Sequence, residues 1–552
     1  MMPLQPEGSD LPQRASTLAP FQHAGFRTIW SASLVSNLGG LIQSVGAGWM
    51  MTTITDSHNM VALVQGAVTL PLMVFSLAAG TLADNFDRRR IMLTAQVLMM
   101  VVSCCLAAFA FMGLLNPWLL LAFTFVIGSG GALHNPSWQA SMGDIVPRSE
   151  LPAAVTLNSV GFNMTRSVGP ALGGILVAAA GASAAFALNA VSYVPLIVAL
   201  IRWKPNFPQR KLPRESFGSA MSAGLRYVAM SPNLLTVMAR AFVFGLAAVS
   251  ILALLPLVSN ELLRGGATTY GSLLGCFGVG AIGGAFLNAR VRALASNEVI
   301  VRLACVVFGL SCVGLAFSRH IGLSCLVLLP AGACWVLALS LFNVTIQLST
   351  PRWVVGRALA LYQTATFGGM AGGSWLWGVT ADAYGLQWSL VGGGLVLLVG
   401  ALIGFRFALP EFGSLNLDPL DTFNEPPLRL DLRPRSGPIV IQVDFTIDQG
   451  DVPAFLVAMA ERRRIRIRDG ARQWVLLRDL ENPETWTESY HVPTWVEYVR
   501  HHQRRTQADA EVSEVLLALH RGDGRPVVRR MIERQTVPLR DDTPLKEYPE
   551  II

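Results

Sequence analysis

The chain has 552 residues, of which 52% are hydrophobic and only 14% are charged. Soluble globular proteins carry about a quarter charged residues, so this composition excludes an ordinary soluble protein and indicates several membrane spans. The net charge of +7 does not require a nucleic-acid partner, because arginine is the expected residue at an anionic inner membrane surface.

The apolar residues form segments long enough to cross a bilayer, which takes about 20 helical residues. We predict twelve spans in two groups of six, within residues 26–201 and 234–408, with a disordered tail at residues 1–25. In chain order the predicted spans are 26–54, 60–83, 91–112, 117–135, 151–180, 182–201, 234–258, 270–289, 299–317, 321–348, 358–381 and 387–407.

The sequence gives no sign of a metal or cofactor site. It has no glycine-rich phosphate loop, catalytic triad spacing or zinc pattern, so we predict no cofactor and no use of ATP. The cysteines lie inside apolar runs without metal-ligand spacing and are predicted to be reduced packing residues. They are Cys104, Cys105, Cys276, Cys305, Cys312, Cys325 and Cys334.

The turn between the second and third predicted spans, residues 80–90, is densely charged. Its spacing, Gly-x-x-x-Asp-x-x-x-Arg-Arg, is carried by Gly80, Asp84, Arg88 and Arg89. This spacing resembles the loop signature of major facilitator superfamily transporters, although it lacks the usual basic residue and glycine between the aspartate and the arginines. The resemblance implies a gating loop that stabilises one of two conformations. The alternative is a charged turn that only enforces topology.

The first predicted span resembles a transporter subgroup. Residues 34–49 look like the first helix of the subgroup that includes the enterobactin exporter and the transmembrane secretion effectors. Members often have an acidic residue where this chain has Gly40. Because no Asp or Glu lies deep in any predicted span, the coupling mechanism stays open.

Lysine and arginine are distributed unequally between the predicted loops. The outer loops hold two, Arg264 and Arg319, whereas the inner loops hold 14. Cytoplasmic loops are enriched in these residues, so both termini are predicted to be cytoplasmic. The 14 are Arg88, Arg89, Arg90, Arg148, Arg202, Lys204, Arg210, Lys211, Arg214, Arg226, Arg290, Arg292, Arg352 and Arg357.

An internal repeat relates the two groups of spans. A shift of 204 residues places residues 147–181 on 351–385 and aligns three glycine pairs and a Pro-Arg pair. Two parallel six-helix repeats are the expected architecture of major facilitator transporters. The glycine pairs are Gly169 with Gly373, Gly174 with Gly378 and Gly181 with Gly385.

The fifth predicted span contains a small-residue motif, Gly169-Pro170-Ala171-Leu172-Gly173-Gly174. It resembles the Gly-Pro-x-x-Gly-Gly signature of exporters in the superfamily, and Gly169, Pro170, Gly173 and Gly174 match. Small residues let helices approach closely, and proline permits a bend. The motif favours export over import, although ordinary helix packing would also explain it.

Polar side chains inside the predicted spans are candidates for a substrate cavity. Arg166 is the strongest, because a lone charge at mid-span costs about 2.5–3.5 kcal/mol on insertion scales and therefore indicates a water-filled cavity or a partner. Each of the others is explained equally well by helix packing. The candidate set is Asn37, Gln43, Trp49, His134, Asn163, Arg166, Asn343 and Gln347.

The loops predict three further segments. Residues 202–233 form a basic connector whose apolar residues at 217, 221, 225 and 228 predict a helix on the inner membrane surface. Residues 409–438 form a Pro-rich linker, and residues 439–552 form a soluble domain.

The strand and helix order of the soluble domain, β-α-β-β-α-β, predicts a ferredoxin-like α+β fold. The domain resembles the dimeric barrels of the antibiotic-biosynthesis monooxygenase type, which implies self-association. Trp474, Trp486 and Trp495 are the expected apolar contacts. Its arginines at 461–472 and its histidines at 491, 501 and 502 are interpreted as membrane-facing and exposed, with a catalytic cavity as the alternative.

The sequence therefore predicts an all-α polytopic membrane protein with a C-terminal α+β domain. The predicted function is secondary active export of a small organic molecule, siderophore-, drug- or metabolite-like, across the cytoplasmic membrane, without enzymatic activity. The expected partners are this small molecule, the lipid membrane and a second copy of the C-terminal domain, with no nucleic acid. Two alternatives stay open: a membrane-anchored enzyme with a catalytic C-terminal domain, and an importer of the same fold.

Overall fold

The computed structural model describes residues 18–147, 150–203, 217–351, 353–411, 416–417, 420 and 426–533. Inside its helices, the side chains at 77, 80, 81, 83–85, 152, 163, 167, 217, 219 and 220 lie outside the description. The chain divides into two compact units. The first is Met1–Arg214, Thr236–Asn343 and Ala360–Leu409, and the second is Glu215–Leu235, Val344–Leu359 and Pro410–Ile552.

Long helices make up most of the described residues between 24 and 403. Nine helices in the described part of the chain are long and apolar enough to cross a membrane, whereas the total of twelve spans stays a prediction. In chain order the helices are α1 (Ala24–Ile54), α2 (His58–Asn85), α3 (Arg88–Phe111), α4 (Pro117–Ile145), α5 (Leu151–Arg202), α6 (Phe217–Ala229), α7 (Pro232–Leu257), α8 (Ala267–Leu294), α9 (Asn297–Phe317), α10 (Ile321–Leu348), α11 (Val355–Tyr384) and α12 (Leu386–Ile403).

Local chemistry explains where several of these helices begin. Ser57 accepts a hydrogen bond from the Met60 amide at the start of α2, and Asn116 accepts one from Leu119 at the start of α4. Asp87 accepts hydrogen bonds from the first amides of α3. Short polar side chains at these positions satisfy amides that have no partner inside the helix.

The sequence repeat has a counterpart in the backbone. Gly181 interrupts α5 with φ 79° and ψ 170°, and its repeat partner Gly385 separates α11 from α12 with φ 90° and ψ 157°. Positive φ values are accessible to glycine at little cost. The two glycines therefore make equivalent breaks, and we refer to α1–α5 and α7–α12 as the first and second halves.

The C-terminal part of the second unit contains an antiparallel sheet. Its elements are β1 (Ile439–Thr446), α13 (Val452–Asp469), β2 (Arg472–Arg478), β3 (Thr485–Val492), α14 (Trp495–Gln503), α15 (Gln507–Leu519) and β4 (Val527–Ile532). The strand order is β2-β3-β1-β4. The predicted last helix is two helices, because Thr506 and Asp509 form a capping box that starts α15.

One face of this sheet forms a core with the helices. Alternate residues of β1 are buried, and on β3 the buried set includes Trp486 and Tyr490. Trp495 is also buried in this core, and Trp474 packs against it. Two of the three tryptophans expected to contact a second copy are thus buried within the domain, so they are not exposed for such a contact.

The interpretation of the arginines and histidines as exposed is wrong for several of them. Arg466 and His501 are 7% and 2% exposed, and Glu488 on β3 is fully buried. Arg462 donates from Nε to Glu488 at 2.8 Å, and Arg466 does so at 3.2 Å. The sheet alternation places Glu488 in the core, and a buried carboxylate is stable only when it is paired.

The connector contains the helix α6. Ala223, Tyr227 and Val228 on this helix are each 3% exposed, whereas Leu225 is 56% exposed. Of the apolar residues predicted to face the membrane, Val228 is therefore covered by protein and Leu225 is exposed, whereas the Phe217 side chain lies outside the described residues. The position of this helix on the membrane surface stays a prediction.

Candidate functional site

Arg166 lies halfway along the first segment of α5 and is partly exposed. Its guanidinium carbon is 5.8 Å from the ring centroid of Trp335, which lies halfway along α10 in the second half. A cation over an indole face gains about 0.5–2 kcal/mol, more where water is excluded. Arg166, which the sequence predicts to need a cavity or a partner, thus faces an aromatic ring of the other half.

Trp335 belongs to a cluster of aromatic rings within the second half. The ring centroids lie 5.9–6.5 Å apart, mostly in edge-to-face geometry, which is the preferred arrangement of aromatic pairs. The other members are Phe244, Phe277, Phe308 and Phe342. The candidate site therefore combines one cation from the first half with an aromatic wall from the second half. No sequence signal identified Trp335, because a lone tryptophan in an apolar helix is ordinary.

The Gly-Pro motif packs α5 against two neighbours. A Cβ atom on Gly169 would lie 2.8 Å from the Leu41 Cβ atom in α1, and one on Gly173 would lie 3.1 Å from the Ile42 Cα atom. A Cβ atom on Gly174 would lie 2.7 Å from the Cα atom of Gly271 in α8. The motif thus lets the two halves touch through their backbones.

Gln43 belongs to a polar network inside the first half. It is 4% exposed and accepts hydrogen bonds from the Ser103 hydroxyl, at 3.1 Å, and from the Asn189 amide. Asn189 also donates to the Tyr193 hydroxyl at 3.0 Å. These bonds join α1, α3 and α5, so the contacts of Gln43 are those of a packing residue.

The other predicted cavity residues have different surroundings. His134 is 6% exposed on α4, and its Nδ1 atom has no hydrogen-bond partner. Asn37, Trp49 and Asn343 are half-buried, and Gln347 is exposed. The Asn163 side chain lies outside the described residues. The contact of Arg166 with Trp335 links the two halves.

The arginines of the gating loop bind neighbouring helices of the first half. Arg88 donates from Nη1 to Asp144 and to the Ala140 carbonyl on α4, each at 2.8 Å. Arg89 donates to the Leu200 and Ile201 carbonyls at the end of α5, at 2.7 and 2.6 Å. A cation at a helix C-terminus is stabilised by the carbonyls there.

Gly80 and Asp84, the other two residues of the gating-loop signature, lie outside the described side chains. Sequence reasoning missed Asp144, because nothing in the sequence links the end of α4 to the loop. Arg88 and Asp144 are both mostly buried, with side-chain exposures of 16% and 15%. Removing one partner of such a pair costs more than removing an exposed charge.

The N-terminal end of α2, which is the end remote from Arg88 and Arg89, is bound to the second half. Asp382, at the C-terminal end of α11, accepts hydrogen bonds from the His58 and Asn59 amides, at 2.7 and 3.2 Å, and from the Ser57 hydroxyl at 3.1 Å. The His58 ring lies 2.9 Å from a Glu261 oxygen, also in the second half. We call this group the latch. An aspartate of one half thus caps a helix of the other half.

The second unit contains a group of stacked side chains that we call the clamp. It joins α6 and the α10–α11 turn to the C-terminal domain. Arg468 lies 5.1 Å from the Tyr227 ring and Arg504 lies 4.6 Å from the Trp353 ring, and these two rings pack edge to face at 5.6 Å. Arg226 donates to the Arg468 carbonyl at 3.4 Å. None of these contacts has a signal in the sequence, because they pair residues more than a hundred positions apart.

The described residues contain no group of three or more His, Cys, Asp or Glu side chains that would hold a metal ion. The candidate sites are therefore made of arginines, aromatic rings and close glycine contacts.

A bundle of apolar helices in two repeats, with a cation and an aromatic wall facing each other across them, defines a multi-pass membrane transporter of the major facilitator type. Residues 15–536 match the family described as transmembrane secretion effector. The chain belongs to the transmembrane secretion effector family.

Two curated relatives agree with this class, and one solved structure has a similar fold. The staphyloferrin A transporter of Staphylococcus aureus is 22% identical, over 65% of this chain and 89% of its own. The multidrug efflux pump Tap of Mycolicibacterium fortuitum is 25% identical, over 70% of this chain and 96% of its own. A bacterial homolog of the human lysosomal transporter Spinster, solved in an inward-facing and unoccupied conformation, matches with 12% identity and a TM-score of 0.57 over 72% of this chain and 99% of its own.

Proposed function

We propose that this protein exports a small organic molecule across the cytoplasmic membrane by alternating access of its two halves. The proposal rests on one observation: Arg166 in α5 faces the ring of Trp335 in α10. Sites formed between repeats near the middle of the membrane are the ones that alternating access exposes to each side in turn.

Arg166 and the aromatic cluster favour one class of substrate. A guanidinium binds carboxylate or phenolate groups, and aromatic rings bind flat apolar groups. The substrate is therefore an organic anion or phenol with an apolar part. Siderophores, drugs and aromatic metabolites all contain this combination, and the relatives include a staphyloferrin A transporter and a multidrug efflux pump.

The Gly-Pro motif supports export as the direction. It resembles the exporter signature, and its Gly174 packs against the backbone of Gly271 in α8. The importer is the alternative. Metabolite profiling inside and outside cells, with and without the gene, distinguishes them: export predicts that the substrate accumulates inside when the gene is removed, and import predicts the reverse.

Both termini are proposed to lie in the cytoplasm, because 14 of 16 loop lysines and arginines fall on that side of the twelve-span threading. A reporter active only outside the cytoplasm tests the threading. It should be active at Asn59, Leu115 and Gln387 and silent at Arg148 and Pro410. A silent first set or an active second set would refute the topology.

The C-terminal domain is proposed to be a ferredoxin-like module that modulates the transporter and pairs with a second copy. The strand order β2-β3-β1-β4 supports the fold, and the clamp supports the modulating role. Pairing would use the open face of the sheet, where Val475, Leu477 and Val527 are 45–56% exposed. Measuring the mass of the detergent-solubilised chain with and without Leu477→Glu tests it, and a monomer in both cases would refute it.

A catalytic C-terminal domain is the weaker alternative. The cavity among its arginines and His501 has room for only about one water-sized group, which is too small for an organic substrate. Turnover of phenolic substrates by the purified chain, lost in a cavity variant, would be needed to favour it.

A further inference from the structure

A small cavity lies between α13 and the α14–α15 pair of the C-terminal domain. Three arginines line it: Arg462 and Arg466 from α13, and Arg505 from the turn between α14 and α15. Asp469 and Asp509 also line it, but both are bound elsewhere. Arg468 donates to Asp469 at 3.0 Å and to both oxygens of Asp509 at 2.9 Å.

The other nearby carboxylate is also occupied. Glu488 accepts hydrogen bonds from Arg462, Arg466 and the Trp474 indole. Burial opposes its charge, but the two arginines lower the pKa of Glu488 to about 2, so it is ionised and bound. The carboxylates around the cavity thus have little capacity left for a third arginine.

Arg505 is that third arginine. Its one side-chain hydrogen bond in the described structure runs from Nη2 to the Ser513 hydroxyl at 2.8 Å. No carboxylate of the described residues forms an ion pair with it. Burial lowers the pKa of Arg505, and the facing charges of Arg466 and Arg462 lower it further. The cavity therefore has three guanidinium groups in its lining, and Arg505 is paired with no carboxylate of the described residues.

His501 does not add a positive charge to the cavity. It is 2% exposed, and its Nε2 atom lies 3.0 Å from Arg466 Nη1, which is always a donor. The histidine is therefore neutral, with Nε2 as acceptor. Its burial and the facing arginine both favour that form, so the cationic character of the cavity comes from the arginines.

We propose that this cavity is a binding site for a small anion, of the size of a halide ion or of a single carboxylate group. Guanidinium groups are the preferred donors for such anions, and their planar N–H sets suit a carboxylate in particular. The cavity holds about one water-sized group, which fits a halide ion or the carboxylate end of a small acid. The proposed anion site is additional to the proposed transport function, because its residues do not include Arg166 or Trp335.

The position of the site gives the anion a route to the transporter. Arg505 directly follows Arg504, whose guanidinium stacks on Trp353 in the α10–α11 turn. An anion bound by Arg505 orders the short turn between α14 and α15, which also carries Arg504 and its contact with Trp353. Occupancy of the cavity thereby stabilises the clamp.

Thermal unfolding of the full chain in detergent tests the site. Chloride and acetate are titrated against gluconate at constant ionic strength, so that general screening is the same in every sample. A ligand that binds only the folded protein raises the unfolding midpoint in a saturable way. We expect saturable rises of a few degrees with chloride and acetate. Gluconate, with the same charge and a larger body, should give none.

Two variants locate the effect. Arg505→Gln should lose the chloride response, whereas Arg505→Lys, which keeps the charge, should retain part of it. Arg521→Gln is the matched control, since Arg521 is exposed and pairs with Asp451 outside the cavity. Equal responses of the wild-type chain to chloride and gluconate would overturn the proposal, and this comparison does not depend on the folding of any variant. A full response of Arg505→Gln to chloride would also overturn the proposal. A stronger response of the wild-type chain to inorganic phosphate than to chloride would overturn the size limit.

Discussion

Arg166 is the residue on which the proposed substrate class depends. Arg166→Lys should retain part of the transport activity, because it keeps the charge, while Arg166→Met should raise the KM by about tenfold or more through the loss of one charge-assisted contact. Met already occupies the equivalent repeat position, Met370, so the side chain is tolerated in such a helix. Transport into inverted vesicles gives the KM, and membrane abundance serves as the control.

The ring that faces Arg166 provides a second measurement of the same site. Trp335→Phe keeps an aromatic face and should be nearly normal, whereas Trp335→Leu removes it and should weaken binding. An unchanged KM in Arg166→Met would show that the arginine is a packing residue and would remove it from the site.

Arg88 and Asp144 form the mostly buried pair that fixes the gating loop to α4. Arg88→Ala and Asp144→Asn should each lower transport at least tenfold with near-normal abundance. Their effects should not add in the double variant, because both remove one interaction. Asp84→Asn is expected to resemble them if the loop signature acts as a unit. Arg90→Ala is the matched control, since Arg90 is 87% exposed.

Efflux rates in cells, normalised to the amount of protein in the membrane, measure these variants. Loss of protein in Arg88→Ala would favour a structural role. Additive effects of the two changes would show that Arg88 and Asp144 act separately.

Among the elements, α2 and α11 form the contact that closes one end of the bundle. A Cβ atom on Gly378 would lie 2.7 Å from the Asn59 Cα atom, next to the latch at Asp382. Gly378→Ala should therefore separate the two helices and reduce transport several-fold. Gly372→Ala, on the same helix with nothing within 4 Å of its Cβ position, should be normal.

Reactivity of a cysteine introduced at Ser57 toward a membrane-impermeant thiol reagent reports on that end. It should rise in Gly378→Ala relative to the control. Equal reactivity in both backgrounds would contradict a role of this contact in closure.

The elements that the sequence predicts well are those defined by local pattern. The boundaries of α9 and α10 match the predicted apolar runs 299–317 and 321–348 closely, and the sheet strands follow alternation. The paired glycines Gly181 and Gly385 are predictable because a repeat conserves the backbone break. In contrast, Asp144, Trp335 and Glu488 depend on tertiary pairing, and a single sequence carries no signal for which distant residues meet.

The C-terminal domain should lose stability as the pH falls from 7 to 5. Burial lowers the pKa of His502 to about 3, and burial and the Arg466 charge hold that of His501 well below its usual range. The unfolded chain binds protons at both residues near pH 6.5, so folding stability is present above that pH and lost below it. At pH 5 the neutral burial of His502 costs about 2 kcal/mol of folding stability, and His501 acts in the same direction.

Asp469 acts in the opposite direction. Burial raises the pKa of Asp469 to about 6, so its protonation below that pH adds about 1 kcal/mol to the folding stability at pH 5. Two histidines outweigh one aspartate, and the urea midpoint of the full chain, followed by tryptophan fluorescence, should be lower at pH 5. His502→Gln should remove about 2 kcal/mol of this loss of stability. A midpoint independent of pH would contradict the neutral burial of these histidines.

At the scale of the whole molecule, the clamp joins the C-terminal domain to the turn between α10 and α11. Trp353 lies in the turn between α10 and α11, and both helices continue from this turn into the second half. The clamp therefore restrains the turn through the stacked Arg504 and the edge-to-face Tyr227. A turn that moves during alternating access must either carry the domain with it or break these contacts.

Trp353→Ala should change the transport rate by about threefold or more without changing the KM, because it alters a conformational step and leaves the site at Arg166 intact. Arg504→Gln should have a similar effect, and the double variant should add little, since the two side chains form one contact. Arg521→Gln serves as the control for a surface charge on the same domain. Two observations would defeat the argument: normal rates in both single variants, or a change confined to the KM, which would place the effect at the substrate site.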